Sequence, residues 1–433
     1  MIHIHPKMRY TYVGADNHKH SHTFVFINFM FEKVGELVVS STPSDFEPFL
    51  KEAQRFLQPH TAFIFAFEDV THYGRTLVNF LIGKGYTVKH VNANLVSSER
   101  KAYNVIQKTD SIDALCAARV LISRFDALPI VKPDEKYYIM NVLVSKRQSL
   151  SRQTKRLKGT LHSLLFPQYP NYHDFFSSLN TKSALAFYAA YPSPHTLDGV
   201  TEDQLTDFFS VIIDSRRARA KATLILDLVK KSGVATNDFQ DSIDHTIRFT
   251  VMELKTANQH LEDIEDRLAK LLTSFNCPLT SMSGIDTLTA CRLIAEVGDI
   301  SRFKNSASLA QYAGIAPIPH SSGNSDIKRS NKRGNRQLNS IIYGIALILI
   351  APKGGQITNP FFYNFYHQKI SEGKTKKQAL KVVQRRLINI IYGMMKHGVH
   401  YINPPIIYID ETQLNDNQLT HIQKRRSTFK SAT

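Results

Sequence analysis

Four carboxylates in the first third of the chain are spaced so that a fold could bring them together. Asp16 and Glu68 each end a run of residues typical of a β-strand, and Asp110 and Asp113 stand three apart in a helical pattern, on one helix face. The carboxyl ends of adjacent parallel strands meet at one edge of a sheet. Clustered carboxylates repel one another unless a cation neutralises them, and oxygen ligands favour Mg²⁺ or Mn²⁺. The spacing therefore predicts a metal site able to clamp a phosphodiester.

Each of these residues also has an ordinary structural explanation. An Asp that ends a strand is commonly a turn residue, and Glu68 could be exposed beside Asp69. Asp110 could cap its own helix, with Asp113 in the first turn beside the positive end of the helix dipole. The joint pattern at the strand ends, more than any one residue, favours the metal site.

The elements that must position these carboxylates alternate between strand and helix. Composition and spacing predict strands at 9–15, 22–31, 34–39, 61–67 and 86–92, and helices at 44–56, 71–84 and 110–123. The run 61–67 is continuously apolar, as in a strand buried on both faces. The order βββαβαβα predicts an α/β domain over 1–130, with a mixed sheet flanked by helices.

A helical region is predicted over 131–274. Residues 137–166 contain one Gly and no Pro, and 168–240 form an insertion with no recognisable chemistry. Apolar residues then step by three or four through about four heptads, which predicts a coiled coil or a long bundle helix. The alternative is an amphipathic helix packed inside its own subunit. This seam consists of Ile243, Ile247, Val251, Leu254, Ala257, Leu261, Ile264, Leu268 and Leu271.

A third, mostly helical domain is predicted over 275–400. Gly284 precedes a short helix at 287–297, and a second helix follows at 306–312. This pattern resembles a helix-hairpin-helix element, whose turns offer backbone N–H groups to a phosphate. A polar loop at 320–334 and helices at 336–350 and 376–397 follow.

The formal net charge of +17 is concentrated near the C-terminus. Residues 301–433 carry 20 Lys and Arg against 5 Asp and Glu, whereas residues 131–300 carry 20 of each kind. This asymmetry predicts a polyanionic partner, most commonly nucleic acid. A solubilising basic tail would account only for 401–433. The candidate nucleic-acid contacts are Gly284, Lys328, Arg329, Lys332, Arg333 and Arg336.

Cysteine usage and hydropathy indicate a cytoplasmic protein with no membrane partner, acting at the nucleoid if DNA is its substrate. Cys116, Cys277 and Cys291 lie far apart without a CxxC pair, which indicates a reducing compartment. The N-terminus lacks a signal-peptide core, and the apolar stretch 341–351 is too short to cross a bilayer. Three histidines alternate after Asp16, but without a Cys or second His cluster they do not favour a zinc site. These are His18, His20 and His22.

Two sets of short motifs together resemble a bacterial insertion-sequence transposase family. The first set is Val13-Gly14-Ala15-Asp16, Phe67-Glu68-Asp69-Val70-Thr71-His72-Tyr73 and Lys108-Thr109-Asp110-Ser111-Ile112-Asp113-Ala114. The second is Gly284-Ile285-Asp286 with Thr289-Ala290, then Tyr312-Ala313-Gly314-Ile315-Ala316-Pro317, Ser322-Gly323 and Arg333-Gly334-Asn335. The resemblance implies an N-terminal RuvC-like, ribonuclease-H-fold DEDD domain followed by a C-terminal transposase domain.

The same resemblance implies a mechanism and partners. It implies a serine nucleophile that joins DNA through a phosphoserine intermediate, and Ser322 is the position that matches the family pattern, although Ser321 and Ser325 are neighbours. It also implies a structured non-coding guide RNA that supplies sequence specificity by base pairing. A homodimer or homotetramer is implied as well, for which the heptad seam is a candidate contact.

Three alternatives stay open. A site-specific DNA invertase of the same family would act on fixed sites. A nuclease of the Holliday-junction-resolvase type would use the metal site to let water attack the phosphate. A nucleic-acid-binding protein without catalysis would use the carboxylates structurally.

Overall fold

The computed structural model describes residues 5–70, 72–103, 107–132, 134–233, 238–316, 318–322, 325–329, 334–354 and 356–403, with only the main chain described for 318–322, 325–329 and 353. Contacts divide the chain into two units, Met1–Tyr138 and Ile139–Thr433, each of which is described by itself. In neither unit does a described helix have the length and apolar character needed to span a membrane. All three cysteines are free.

A five-stranded mixed sheet forms the first unit, as predicted. The strands are β1 (Tyr10–Asn17), β2 (Ser21–Ile27), β3 (Lys33–Ser40), β4 (Ala62–Phe67) and β5 (Thr87–His90). They lie in the order β3-β2-β1-β4-β5. The hairpin strands pair antiparallel, whereas β1, β4 and β5 run parallel to one another. The parallel pairing of β1 with β4 is the arrangement that the carboxylate prediction requires.

Four helices accompany this sheet: α1 (Phe46–Ala53), α2 (Arg75–Gly83), α3 (Ala93–Ala102) and α4 (Asp110–Ser123). The two sheet faces carry separate apolar clusters, one rich in phenylalanine beside α1 and α2 and the other beside α4. Helix α3 is absent from the predicted order. Its apolar stripe is too thin to recognise, because Val96 is its only buried residue.

The second unit is mainly helical, as predicted. Its helices are α5 (Glu135–Gln168), which begins at the end of the first unit, α6 (Tyr172–Phe175), α7 (Lys182–Ala190), α8 (Glu202–Ser210), α9 (Ser215–Ser232), α10 (Gln240–Thr273), α11 (Thr287–Val297), α12 (Ser306–Tyr312), α13 (Arg336–Ile350), α14 (Pro360–Ser371) and α15 (Lys376–His397). Two short antiparallel pairs are also present, β6 (Ile318–Ser322) with β7 (Ser325–Arg329), and β8 (Pro352–Lys353) with β9 (Gln356–Ile357).

The predicted heptad seam lies on α10 and packs largely against its own chain. Ile247, Val251, Leu254 and Ala257 are buried in a cluster with aromatic residues of the 168–240 insertion. Farther along, Leu268 is buried and its carbonyl accepts a hydrogen bond from the Cys291 thiol of α11 at 3.6 Å. These contacts favour the amphipathic helix packed inside its subunit, and the coiled coil stays a prediction.

Within the predicted polar loop at 320–334, residues 320–322 and 325–329 belong to two antiparallel strands. Strands β6 and β7 pair with Ser322 opposite Ser325 and Ile318 opposite Arg329. We call the paired strands 318–322 and 325–329 the serine ribbon. The Ser, Asn and Gly content of the sequence 318–329 is typical of loops, and for that reason the two strands are not evident from composition.

Candidate functional site

Asp16 and Glu68 stand at the same edge of the sheet because of the register between β1 and β4. The last paired residues of these parallel strands are Ala15 and Phe67. Each acid is therefore the next residue beyond that pair. The strand ends meet where the sequence predicts, and both acids are partly buried.

Gly14 allows helix α4 to lie directly on β1. A Cβ atom at Gly14 would stand 1.9 Å from the carbonyl oxygen of Ala114 and 2.5 Å from the amide nitrogen of Ala118. Since side chains alternate along a strand, Asp16 shares the α4 face with Gly14. The close approach therefore brings the first turn of α4, with its two acids, to the sheet edge that carries Asp16.

Asp110 and Asp16 are joined through a histidine. Nε2 of His18 lies 3.2 Å from Oδ2 of Asp16 and 3.2 Å from Oδ1 of Asp110. The ligand atoms of these three residues all lie within 4.8 Å of one another. Thr109, whose hydroxyl accepts the amide of Ile112 at 3.3 Å, is the cap of α4. Asp110 is therefore not the N-cap, and its carboxylate faces His18.

Asp113 forms an ion pair with Arg100 of α3. Their side chains are only 12% and 19% exposed, so the pair is largely shielded from solvent. Arg100 is not among the predicted site residues, because the helix that carries it is not predicted. A signal for that helix does exist, since Asn92 caps it by accepting the amide of Asn94.

The carboxylates influence one another electrostatically. Burial, and then the nearby charges of Asp110 and Asp113, raise the pKa of Asp16, while His18 opposes this rise. Burial, and then Asp16 and Asp113, raise the pKa of Glu68. All four predicted acids therefore share one region of negative potential.

This donor set fits a divalent cation. Carboxylate oxygens are the ligands that Mg²⁺ and Mn²⁺ prefer. Within the described part of the chain, the group with ligand spacing is Asp16, His18 and Asp110. The predicted ligands Glu68 and Asp113 are outside that group, although the charge of Asp113 raises the pKa of Glu68. His18 is not among the ligands that the sequence predicts. It lies with His20 in the turn between β1 and β2, and the buried His22 is bonded through Nδ1 to Asn17.

The predicted nucleophile and basic residues lie in the second unit. Ser322 is the last residue of β6, Ser321 precedes it, and Ser325 begins β7. Lys328 and Arg329 belong to β7, and Arg336 is the exposed first residue of α13. Lys332 and Arg333 lie outside the described residues.

Gly284 has a packing role as well as its predicted phosphate contact. Its φ of +88° favours glycine, and an added Cβ would lie 3.2 Å from Cγ2 of Ile348 on α13. The carboxylate of Asp286 accepts the Thr289 amide at 2.7 Å and so caps α11. The motif around Gly284 is therefore accounted for by a helix start packed on α13, and the helix-hairpin-helix function stays a prediction.

Comparison with known proteins agrees with both halves of the chain. Residues 13–170 match the DEDD transposase family model of the IS110 type, and residues 277–361 match the transposase IS116/IS110/IS902 family. The 44.8 kDa protein of insertion element IS116 from Streptomyces clavuligerus is 26% identical over 329 residues, 74% of this chain and 79% of that protein. A 43.6 kDa protein of insertion element IS110 from Streptomyces coelicolor is 26% identical over 303 residues, 68% of this chain and 72% of that protein.

A further relative is a pilin gene-inverting protein of Moraxella bovis. It is 33% identical over 122 residues, which are 28% of this chain and 36% of that protein. The DEDD family model suggests a divalent-metal site, and the group of Asp16, His18 and Asp110 has the spacing to form one. This chain therefore belongs to the IS110/IS116 family of insertion-element transposases and is a DNA transposase or recombinase.

Proposed function

We propose that the chain cuts and rejoins DNA with a divalent-metal site at Asp16, Glu68, Asp110 and Asp113 and with the hydroxyl of Ser322 as nucleophile. The observation that carries this proposal is the convergence of Asp16 and Asp110 on His18, with ligand atoms within 4.8 Å of one another. The mutual repulsion of the four acids is a second support, because a cation would relieve it.

The protein groups around the cation have separate roles. Mg²⁺ or Mn²⁺, when bound, polarises a phosphate oxygen of the DNA backbone. Asp16 and Asp110 would hold the ion, and Glu68 would add negative charge from the adjacent strand. Arg100 orients the Asp113 carboxylate and leaves the site less negative than four free acids would.

The serine performs two transesterifications in this proposal. The Ser322 Oγ–phosphorus bond forms as the phosphorus–oxygen bond to one deoxyribose breaks, and the released sugar oxygen takes up a proton in place of the one that the serine hydroxyl loses. The hydroxyl of a second DNA end then attacks the phosphoserine, restores the serine and closes a new phosphodiester. A serine hydroxyl needs activation by a base or a metal for such an attack. Because the serine hydroxyl needs such activation, the proposal has the metal site and the serine act on the same phosphate.

We infer that a structured guide RNA supplies sequence specificity and that the protein acts as a homodimer or homotetramer. The high basic charge of residues 301–433 supports binding to a nucleic-acid backbone. We further infer the division into a RuvC-like DEDD domain at 1–130, a helical region at 131–274, a transposase domain at 275–400 and a basic tail. The family matches at 13–170 and 277–361 support the two outer domains.

Isosteric variants of the acids test the metal site. Asp16→Asn, Glu68→Gln and Asp110→Asn each remove one negative charge with little change in shape. We expect strand cleavage to fall by at least about 10²-fold in each, because the electrostatic stabilisation of the transition state is lost. Rates are measured with increasing Mg²⁺ or Mn²⁺, beside DNA affinity.

Asp45→Asn provides the matched control, since this acid lies at the start of α1 on the opposite face of the sheet. It should keep the wild-type rate. Undiminished cleavage by Asp16→Asn and Asp110→Asn at every metal concentration would contradict the metal site.

Site-specific inversion is the second candidate, and the similarity to the pilin gene-inverting protein favours it. An invertase exchanges strands between two fixed sites in one molecule, whereas a transposase inserts an element at a new target. A plasmid carrying both arrangements separates the two: inverted products alone would establish the invertase.

A further inference from the structure

Two glycines touch where the chain enters and leaves the serine ribbon. An added Cβ at Gly334 would lie 2.2 Å from the backbone nitrogen of Gly314 and 2.3 Å from its Cα. The segments before and after the ribbon are therefore in backbone contact. Only glycine tolerates this distance at position 334.

The side chain of Asn335 secures this contact. Its Oδ1 accepts the Leu338 amide at 2.8 Å and so caps α13, while its Nδ2 donates to Oε2 of Glu296 at 2.9 Å and to the Tyr312 hydroxyl at 3.0 Å. The backbone amide of Asn335 also donates to the Tyr312 carbonyl at 2.6 Å. Oδ1 of Asn335 faces the Leu338 N–H, which is a donor, and Nδ2 faces the Glu296 carboxylate, which is an acceptor. The amide group of Asn335 therefore has one possible orientation.

The partners of Asn335 are themselves held in place. The Tyr312 hydroxyl donates to the Glu296 carbonyl at 3.4 Å, and the guanidinium of Arg302 lies 4.7 Å from the Tyr312 ring centre. One turn into α13, Nδ2 of Asn339 donates to the Ala313 carbonyl at 2.8 Å. These contacts join the end of α11, the end of α12 and the start of α13. We call this junction, formed by Glu296, Tyr312, Ala313, Asn335 and Asn339, the neck of the ribbon.

We propose that Glu296, Tyr312 and Asn335 are positioning residues that fix the direction of the serine ribbon and thereby the place of Ser322. This inference rests on the proposed role of Ser322 as nucleophile. Ser322 lies four residues beyond Ile318, so the strand carries it about 13 Å from its start at roughly 3.3 Å per residue. A rotation of the strand by about 5° about Ile318 would move Ser322 by about 1 Å, and a displacement of that size can slow a reaction by about 10²-fold.

Replacing Asn335 by Asp separates its two functions. Asp caps a helix as well as Asn does, so the cap on α13 is kept. The Nδ2 donor is lost, however, and a second carboxylate then faces Glu296. We expect Asn335→Asp to form covalent protein–DNA adduct about 10- to 100-fold more slowly, with unchanged DNA affinity and with an unfolding midpoint lowered by the lost hydrogen bond.

The double variant Asn335→Asp/Glu296→Gln is the matched rescue. The amide of the new glutamine donates to the new aspartate, so the hydrogen bond is restored with its direction reversed. We expect this variant to recover adduct formation to within about fivefold of the wild-type rate. A coupling of this kind between two side chains in contact is what a double-mutant cycle isolates.

Hydrogen exchange makes the inference testable apart from the serine chemistry. The amides of 318–322 and 325–329 should exchange faster in Asn335→Asp and return to the wild-type rate in the double variant. A wild-type rate of adduct formation in Asn335→Asp, or a double variant as slow as the single one, would overturn the positioning role. An active Ser322→Ala variant would instead overturn the proposed function, while the exchange result would still decide whether the neck anchors the ribbon.

Discussion

A missing side chain at Gly14 determines how closely α4 can approach the sheet. The space that a Cβ would need is filled by backbone atoms of Ala114 and Ala118, which cannot rotate away as a side chain would. The positions of Asp110 and Asp113 relative to Asp16 follow from that contact. Residue size at one position in β1 therefore influences the geometry of the acids.

Gly14→Ala tests this contact. We expect the unfolding free energy to fall by about 1–3 kcal/mol, because added volume in a close-packed contact forces the helix away. DNA cleavage should fall with it, since α4 carries two of the acids. Circular dichroism during urea unfolding measures the change, as the chain has no tryptophan for fluorescence.

Gly159→Ala is the same chemical change at an open position in α5, where nothing lies within 4 Å of the added Cβ. It should stabilise the helix by about 0.5–1 kcal/mol. Equal effects of the two substitutions would contradict the packing explanation.

The residue types and their spacing identified the four acids as candidates for the site, but they did not identify the side chains that contact these acids. Asp16 and Glu68 could be chosen because strand ends are visible in sequence, and Asp110 and Asp113 because a spacing of three defines a helix face. His18 and Arg100 could not, because their roles arise from tertiary contacts: a turn folds His18 between two acids, and α3 brings Arg100 to Asp113.

Helix α10 shows how far periodicity alone predicts a structure. The spacing of its apolar residues correctly gives a long amphipathic helix, but it does not say which surface covers the apolar stripe. In the structure, aromatic residues of the 168–240 insertion cover Ile247, Val251 and Leu254. Those residues lie far from the seam in sequence, which is why the sequence left both alternatives open.

Leu254→Ala tests the packing of α10. Because Leu254 is fully buried within its own subunit, we expect a loss of about 2–5 kcal/mol in unfolding free energy. The oligomeric state, measured by light scattering, should not change. Phe249→Ala on the same helix should cost much less, because that side chain is 50% exposed. Dissociation of an oligomer by Leu254→Ala without loss of subunit stability would indicate a coiled-coil seam instead.

Strands were predicted best where burial is complete. The continuous apolar run of β4 has five consecutive buried residues and is correctly placed. The strands of the serine ribbon were missed because their polar composition resembles a loop, and pairing between two segments is not visible in either one alone.

Charge is distributed unevenly along the chain, and this distribution predicts how DNA binding depends on salt. The logarithm of the DNA association constant should fall linearly with the logarithm of salt concentration, with a slope of about −0.9 for each phosphate contacted. Lys376 and Lys377 are exposed at the start of α15, in the basic last third. Replacing both by Gln should reduce the slope by up to about two units.

Lys230 and Lys231 offer the control pair, since they are exposed at the end of α9 in the part of the chain whose charges balance. Their replacement by Gln should leave the slope nearly unchanged. An equal reduction for both pairs would show that DNA contacts are not concentrated in the last third.

In the proposed mechanism, DNA is joined through a serine of the ribbon. Trapping the protein on labelled DNA by denaturation during the reaction, followed by electrophoresis, tests it most directly. We predict a covalent adduct with the wild-type protein and with Ser321→Ala and Ser325→Ala, and none with Ser322→Ala, although that variant still binds DNA. An adduct with Ser322→Ala, or strand joining by the wild-type protein without any adduct, would contradict this serine mechanism.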